Sequence, residues 1–351
     1  MSRTLLYYPT FEIPSEQWLK DGLLYWDAVG SIVPERFKHI VKTNDLEYLS
    51  EVGLYKCFNP NSYVLDDNIN SKLTEEFKQR LDSPEFANEI QKPSSKEYLN
   101  IAFEKMNYDS KQLVIERKLT PDHFNNDGWI PIKKPAAMIY MGLLARYLAE
   151  NDPDYVQPST DQIEYEDIIY RCGEQYNPLQ GMALSLKNLL PRVAPDTNIR
   201  KTVEFKNRRR DELICFRVQL DEVQKKLSNC KSKEEAKLLI TQFQEQIEIS
   251  VTTIKRLMKE QRITSIFGTL RTIIRAKTPK WLAITAGSSA LIGDPNNAIF
   301  LGMASAAGYI STGAIELARY LLDRRNDNQK IKEMPFSYLY FAGQEDIVGV
   351  K

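Results

Sequence analysis

The 351-residue chain carries 47 basic against 47 acidic residues, and 42% of it is hydrophobic. These are ordinary figures for a folded protein with room for two cores. A formal net charge of zero excludes a global field as the route to nucleic acid or an anionic membrane, so any such partner would need a local patch.

The opening MSRTLLYYPTFEIP has one basic residue and a very short apolar run, so no signal peptide is expected. Cys57, Cys172, Cys215 and Cys230 form no CxxC pair, and only His39 and His123 accompany them. No metal site is expected from that set, and a reducing cytoplasm fits it. Thr4 to Tyr8 reads as a short strand closed by Pro9. Ser15 then caps a helix whose apolar residues Trp18, Leu19, Leu23, Trp26 and Val29 recur at helical spacing until Gly30 ends it. Ser31 to Val33 is a second strand, Asn44 to Glu51 a short helix, and LYKCF a third strand. This β-α-β-α-β rhythm predicts parallel strands joined by crossover helices.

Residues 66 to 111 read as polar helix broken at Pro84 and Pro93, followed by strands at QLVIER and WIPI. Pro135 suits the first turn of the helix AAMIYMGLLARYLAE, which is apolar almost all round and so belongs in a core. NDPDYVQPST reads as a loop, and Ser159-x-x-Gln162 as a capping box for the helix after it.

Beyond Val203 the pattern changes. Leu213, Phe216, Leu220, Val223 and Leu227 alternate at three and four residues, a heptad seam. A second stripe runs through Ile240, Phe243, Ile247, Ile254 and Leu257 after a capping box at Ser232. Together they predict an antiparallel, coiled-coil-like hairpin over 203–262. A basic amphipathic helix follows over 263–277, within a stretch from Arg262 to Lys280 that carries five basic residues and no acid. An apolar hairpin over 279–322 comes next. Each of its arms falls short of the roughly 20 apolar residues that a spanning helix needs, and Gly302, Gly308 and Gly313 favour close helix packing. Trp281 opens this hairpin, which is expected to be buried against protein; contact of 263–322 with a membrane under some condition is the competing reading.

Three blocks carry a family resemblance. LLYYP followed by WLKDGLLYWDAVGSIVP is the first, YMGLLARYLAE leading to PSTD at Pro158 to Asp161 the second, and LLPRVAP with FKNRRRDELICFRVQL the third. Together they resemble a bacterial protein family of unknown function. What the resemblance implies is a bacterial cytoplasmic protein of the kind found among accessory or defence genes. It brings no catalytic residue.

Two polar clusters are candidate sites. Asp161, Glu164 and Asp167 share a helix face at i, i+3 spacing, and paired carboxylates can hold a divalent cation for a nuclease. The same acids equally suit a solvated helix start, where they favour the dipole. Lys206, Arg208, Arg209 and Arg210 form the strongest basic cluster and could grip phosphates. Only Phe205 is interleaved with them for stacking, and Asp211 and Glu212 follow at once. No phosphate loop, dinucleotide fingerprint, nucleophile elbow or HExxH motif occurs, so no cofactor is expected.

The sequence therefore predicts an α+β, predominantly helical protein with a mixed domain over 1–200 and a helical domain over 201–351. A small, mainly parallel sheet lies in the first domain, and the long helical hairpin and the apolar hairpin lie in the second. The expected function is that of a non-catalytic interaction or effector protein. It would assemble through its helical half with itself or a protein partner, in the cytoplasm or at the periphery of the inner membrane. A metal-dependent nuclease is the alternative.

Overall fold

The computed structural model describes residues 2–39, 43–60, 67–92, 96–124, 127–162, 165, 190–228, 238–251 apart from 240, 244 and 248, and 334–348. The fold is α+β and predominantly helical, with a small parallel sheet in the N-terminal part. By contact, residues up to 208 and from 342 form one compact unit, and the described residues of 209–251 and 334–341 form another.

The first unit is built on four parallel strands: β1 (Arg3–Tyr7), β2 (Ala28–Ile32), β3 (Tyr55–Phe58) and β6 (Tyr155–Ser159), in the order β3-β2-β1-β6. Parallel neighbours cannot be joined by a tight turn, so each pairing requires a crossover. Helix α1 (Glu16–Tyr25) links β1 to β2, and α2 (Asn44–Glu51) links β2 to β3. Ser15 Oγ accepts from Trp18 N at 3.1 Å and Thr43 Oγ1 from Leu46 N at 3.2 Å, so each helix starts on a side-chain cap.

The return from β3 to β6 is long. It contains α3 (Asp67–Leu81), α4 (Pro84–Ile90), α5 (Tyr108–Glu116) and α6 (Lys134–Asn151), with an antiparallel pair, β4 (Tyr98–Ala102) and β5 (Trp129–Lys133), among them. Side-chain alternation then sorts the sheet faces. Leu6, Tyr8, Ile32 and Phe58 join Leu73 and Phe77 of α3 and the apolar length of α6 in one core. Leu5 and Val29, paired in register, face α1 at Gly22. In the same core layer as α6, Arg146 reaches Glu76 of α3, which also accepts from Arg80 at 3.0 Å and Tyr147 at 3.0 Å.

A second set of contacts fastens residues 190–208 to α1. Asp21, 3% exposed, accepts from Gln17 Nε2 at 3.0 Å, Arg192 Nε at 2.9 Å and Val193 N at 2.9 Å. Lys20 donates to Pro195 O at 3.0 Å and Tyr25 to Pro191 O at 2.7 Å. Helix α7 (Ile199–Arg208) lies on α1, and its buried Lys206 donates to the carbonyls of Trp26 and Asp27. Val193 bridges to Val348, and Ala194 N donates to Ile347 O at 2.8 Å.

In the second unit, α8 (Arg210–Ser228) buries Leu213, Phe216, Leu220 and Val223. Phe216 meets Phe336 at 6.0 Å and stacks on Tyr338 of α9 (Ser337–Gln344), while Phe243 meets Phe336 at 5.9 Å. Phe243 and Ile247 of the second stripe are buried as well, and so is Val251. Ser232, Ile240, Ile254, Leu257, the amphipathic helix and the apolar hairpin lie outside the described residues.

Five local expectations need correction. Helix α1 stops at Tyr25, and Val29 and Gly30 lie inside β2, because Asp27 N donates to Arg3 O while Arg3 N donates to Asp27 Oδ2. QLVIER belongs to helix α5, started by Asn107 Oδ1 on Ser110 N at 2.7 Å. Polar-looking Tyr98–Ala102 is a strand because Leu99 and Ile101 pair with Ile132 and Ile130. The supposed loop NDPDYVQPST holds β6, an edge strand where Pro158 loses no second ladder. Ser159 closes that strand, and the hydroxyl accepting from Gln162 N is that of Thr160.

Gly30 is required by close approach: a Cβ there would lie 2.6 Å from Lys56 O and 2.7 Å from Phe58 Cε2. Gly30→Ala should therefore destabilise by about 1–3 kcal/mol in urea unfolding; an unchanged midpoint would show that the β2–β3 edge yields.

Burial alone would raise the Glu76 carboxyl, but hydrogen bonds from Arg146, Arg80 and Tyr147 and the charge of Arg146 hold it below its ordinary value. A depressed folded value gives stability present above the unfolded carboxylate range, about 4.3, and lost as pH falls through the folded value. Glu76→Gln should thus flatten the acid limb of a stability–pH curve while lowering the plateau at neutral pH.

Candidate functional site

In an open parallel sheet the ligand crevice lies beyond the carboxyl ends of the strands, where the strand order reverses. Here the reversal falls between β1 and β6, since β1 leads outward to β2 on one side and the chain returns to β6 on the other. Tyr7, the last residue of β1, donates from its Oη to Asp161 Oδ1 at 2.8 Å, just past the end of β6. Burial, then the Asp161 carboxylate, push the Tyr7 phenol well above its ordinary value, so it acts as a fixed donor. The Tyr7 ring meets Trp18 edge-on at 5.2 Å, next to the Ser15 cap of α1.

The neighbouring strand end is also polar. Ser31 of β2 donates to Phe11 O at 2.9 Å and lies 2.6 Å from Tyr55 Oη. Phe11 belongs to the loop between β1 and α1. It stacks on Phe37 at 5.3 Å, and both rings approach Trp129 of β5. Lys105 completes this edge, with its ammonium 5.8 Å from the Phe11 ring centroid. Its backbone is fixed by Tyr140 of α6, which donates to Lys105 O at 2.8 Å. Desolvation alone brings the Lys105 ammonium down to about 7.

The geometry sorts the sequence-derived candidates. Asp161 stands at the crevice, engaged by Tyr7, whereas Glu164 and Asp167 lie outside the described residues. Among the described residues no three His, Cys, Asp or Glu side chains gather as a metal ion would need. Of the basic cluster, Lys206 is buried against Trp26 and Asp27. Arg208 pairs with Glu345 at 2.5 Å, and Arg209 lies over the Phe341 ring at 3.7 Å and 3.3 Å from Glu212. Arg210 is exposed at the start of α8. Trp281, Gly302, Gly308 and Gly313 lie outside the described residues. No helix among the described residues is long and apolar enough to cross a membrane.

A family model described as a family of unknown function (DUF6236) matches residues 167–345, about half of the chain. The chain belongs to this family. The match takes in the LLPRVAP and FKNRRRDELICFRVQL blocks and begins after the Pro158 to Asp161 block. Within DUF6236 this chain therefore carries its parallel sheet and the Tyr7–Asp161 crevice on residues that precede the matched region. No curated protein and no solved structure matches it.

Reading the residues singly missed Tyr7 and Lys105. Tyr7 reads as a strand aromatic until β6 is placed beside β1, and Lys105 reads as an ordinary surface lysine of AFEKM. Tyr7→Phe removes a hydrogen bond to a charged acceptor and should cost about 1.5–3 kcal/mol. Equal unfolding midpoints for the variant and wild type would mean that solvent replaces the phenol at Asp161.

Proposed function

We propose that this protein is a non-catalytic interaction protein, of the effector kind found among bacterial accessory or defence genes, that assembles through its helical half as a pair of identical chains. The setting rests on the sequence resemblance alone. The assembly rests on one row of α8. Arg210, Ile214, Val218 and Glu222 follow one another at i, i+4 and are all exposed, opposite the buried seam of Leu213, Phe216, Leu220 and Val223. Ile214 is 50% and Val218 49% exposed.

Rows at i±4 are the ridges by which helices interdigitate. This ridge reads positive, apolar, apolar, negative. Turned through a two-fold axis onto a copy of itself, it sets apolar against apolar and Arg210 against the other copy's carboxylate at this same row. A two-fold interface requires that self-complementarity. Leu238 and Ile249, also in the helical unit, add exposed apolar surface. The nuclease alternative has Asp161 alone among the described residues, and no further observation favours it.

Sedimentation velocity tests the reading. The wild type should sediment as a dimer, Val218→Glu as a monomer with unchanged circular dichroism, and Arg210→Glu as a weakened dimer. Adding Glu222→Arg to Arg210→Glu should restore association, because the ion pairs return with their signs exchanged. A monomeric wild type, or a Val218→Glu chain that still dimerises, would overturn it.

A further inference from the structure

We propose that Lys105 is the anchoring charge of a second site, which takes a small oxyanion, a carboxylate or phosphate group, against Phe11 at the carboxyl edge of the parallel sheet. This site is independent of the α8 assembly face.

Three observations meet at this point. Lys105 is 4% exposed, yet no carboxylate or carbonyl among the described residues accepts from its ammonium. A buried charge is ordinarily paired, since an isolated one is costly and yields by losing its proton. The buried lysine of α7 illustrates the rule, for Lys206 is held by two carbonyls. Among the described residues Lys105 has only the face of Phe11, 5.8 Å away. That contact attracts a cation but brings no counter-charge.

The surrounding charges do not supply one either. Glu104, next in the chain, directs Oε1 to Arg36 Nε at 3.0 Å, and Arg36 also donates to Gly128 O at 2.9 Å. Lys111 lies over the Phe103 ring at 5.2 Å and is the lysine that interacts with the Glu104 charge. The position is also the one where a sheet of this type receives ligands. Phe11 sits in the β1–α1 loop, and its carbonyl is tied to Ser31 at the end of β2. In folds of this class an anionic group commonly rests at that loop and the following helix start. Lysine acts there as a point charge for oxyanions.

The test uses the full chain with inorganic phosphate and with acetate, each against sodium chloride at equal ionic strength. Protein carrying 13C at lysine Cε reports the Lys105 amine, assigned by its loss in Lys105→Met or, should that chain not fold, in Lys105→Arg. In chloride the Lys105 resonance should titrate near neutral pH, about 7. One of the two oxyanions should move that midpoint upward with a saturable dose dependence. It should also raise the melting temperature of the wild type and not of Lys105→Met. A response to phosphate alone assigns a phosphorylated ligand, and a response to acetate assigns a carboxylate. A midpoint that neither anion moves, or equal thermal responses of wild type and Lys105→Met, overturns the site. The dimer measurement is read separately, so either proposal can fail without the other.

Discussion

Strand β1 carries parallel partners on both edges, β2 through Leu5 and Val29 and β6 through Leu5 and Gln157. Parallel pairs must be closed by crossovers, and right-twisted strands feed them with one hand. Progress from β1 to β2 to β3 therefore takes α1 and α2 across one face, while the return to β6 carries α3 to α6 across the other. Both faces of β1 are buried as a result, which is why Leu5, Leu6 and Tyr7 are all essentially inaccessible. The polar crevice follows from the same constraint. Only where β1 and β6 end side by side, with their crossovers departing in opposite senses, can Tyr7 meet Asp161.

Helix α1 is then used twice. Its apolar side lies on Leu5 and Val29, and its polar side is buried under the segment around Val193. A carboxylate placed there without donors would be prohibitive. Asp21 has three, from Gln17, Arg192 and the Val193 amide. Their loss would strand a buried amide as well as a charge. Lys206 does the converse, satisfying the last carbonyls exposed as the chain leaves α1 for β2. The charged residues of α1 and α7 thus define where residues 190–208 must sit. They are not surface decoration.

Burial also explains why charge is a poor guide to function in this chain. The basic run Lys206, Arg208, Arg209 and Arg210 divides among an interior hydrogen-bond donor, an ion pair, a ring contact and one exposed side chain. Lys105, in no cluster at all, is buried with no counter-charge among the described residues. A lysine is informative when the dielectric around it is low and its counter-charge is missing. Neither condition can be seen in composition.

By itself, the sequence determined the β-α-β-α-β opening, the Ser15 cap, the helix begun at Pro135 and the heptad seam of α8. Each is written in near-neighbour spacing, and a local period suffices to fix an amphipathic face. The boundary at Tyr25, the helical state of QLVIER and the strand within NDPDYVQPST were decided only in three dimensions. Trp26 and Val29 keep helical spacing, but the hydrogen bonds between Asp27 and Arg3 draw that stretch into the sheet. Tyr155–Ser159 has the composition of a loop and becomes a strand because β1 offers it an open edge. Asp161 was legible as an acid, but its partner was not. Tyr7 lies 154 positions away in the chain, and only the strand order, a long-range property that no local period encodes, brings the two within a hydrogen bond.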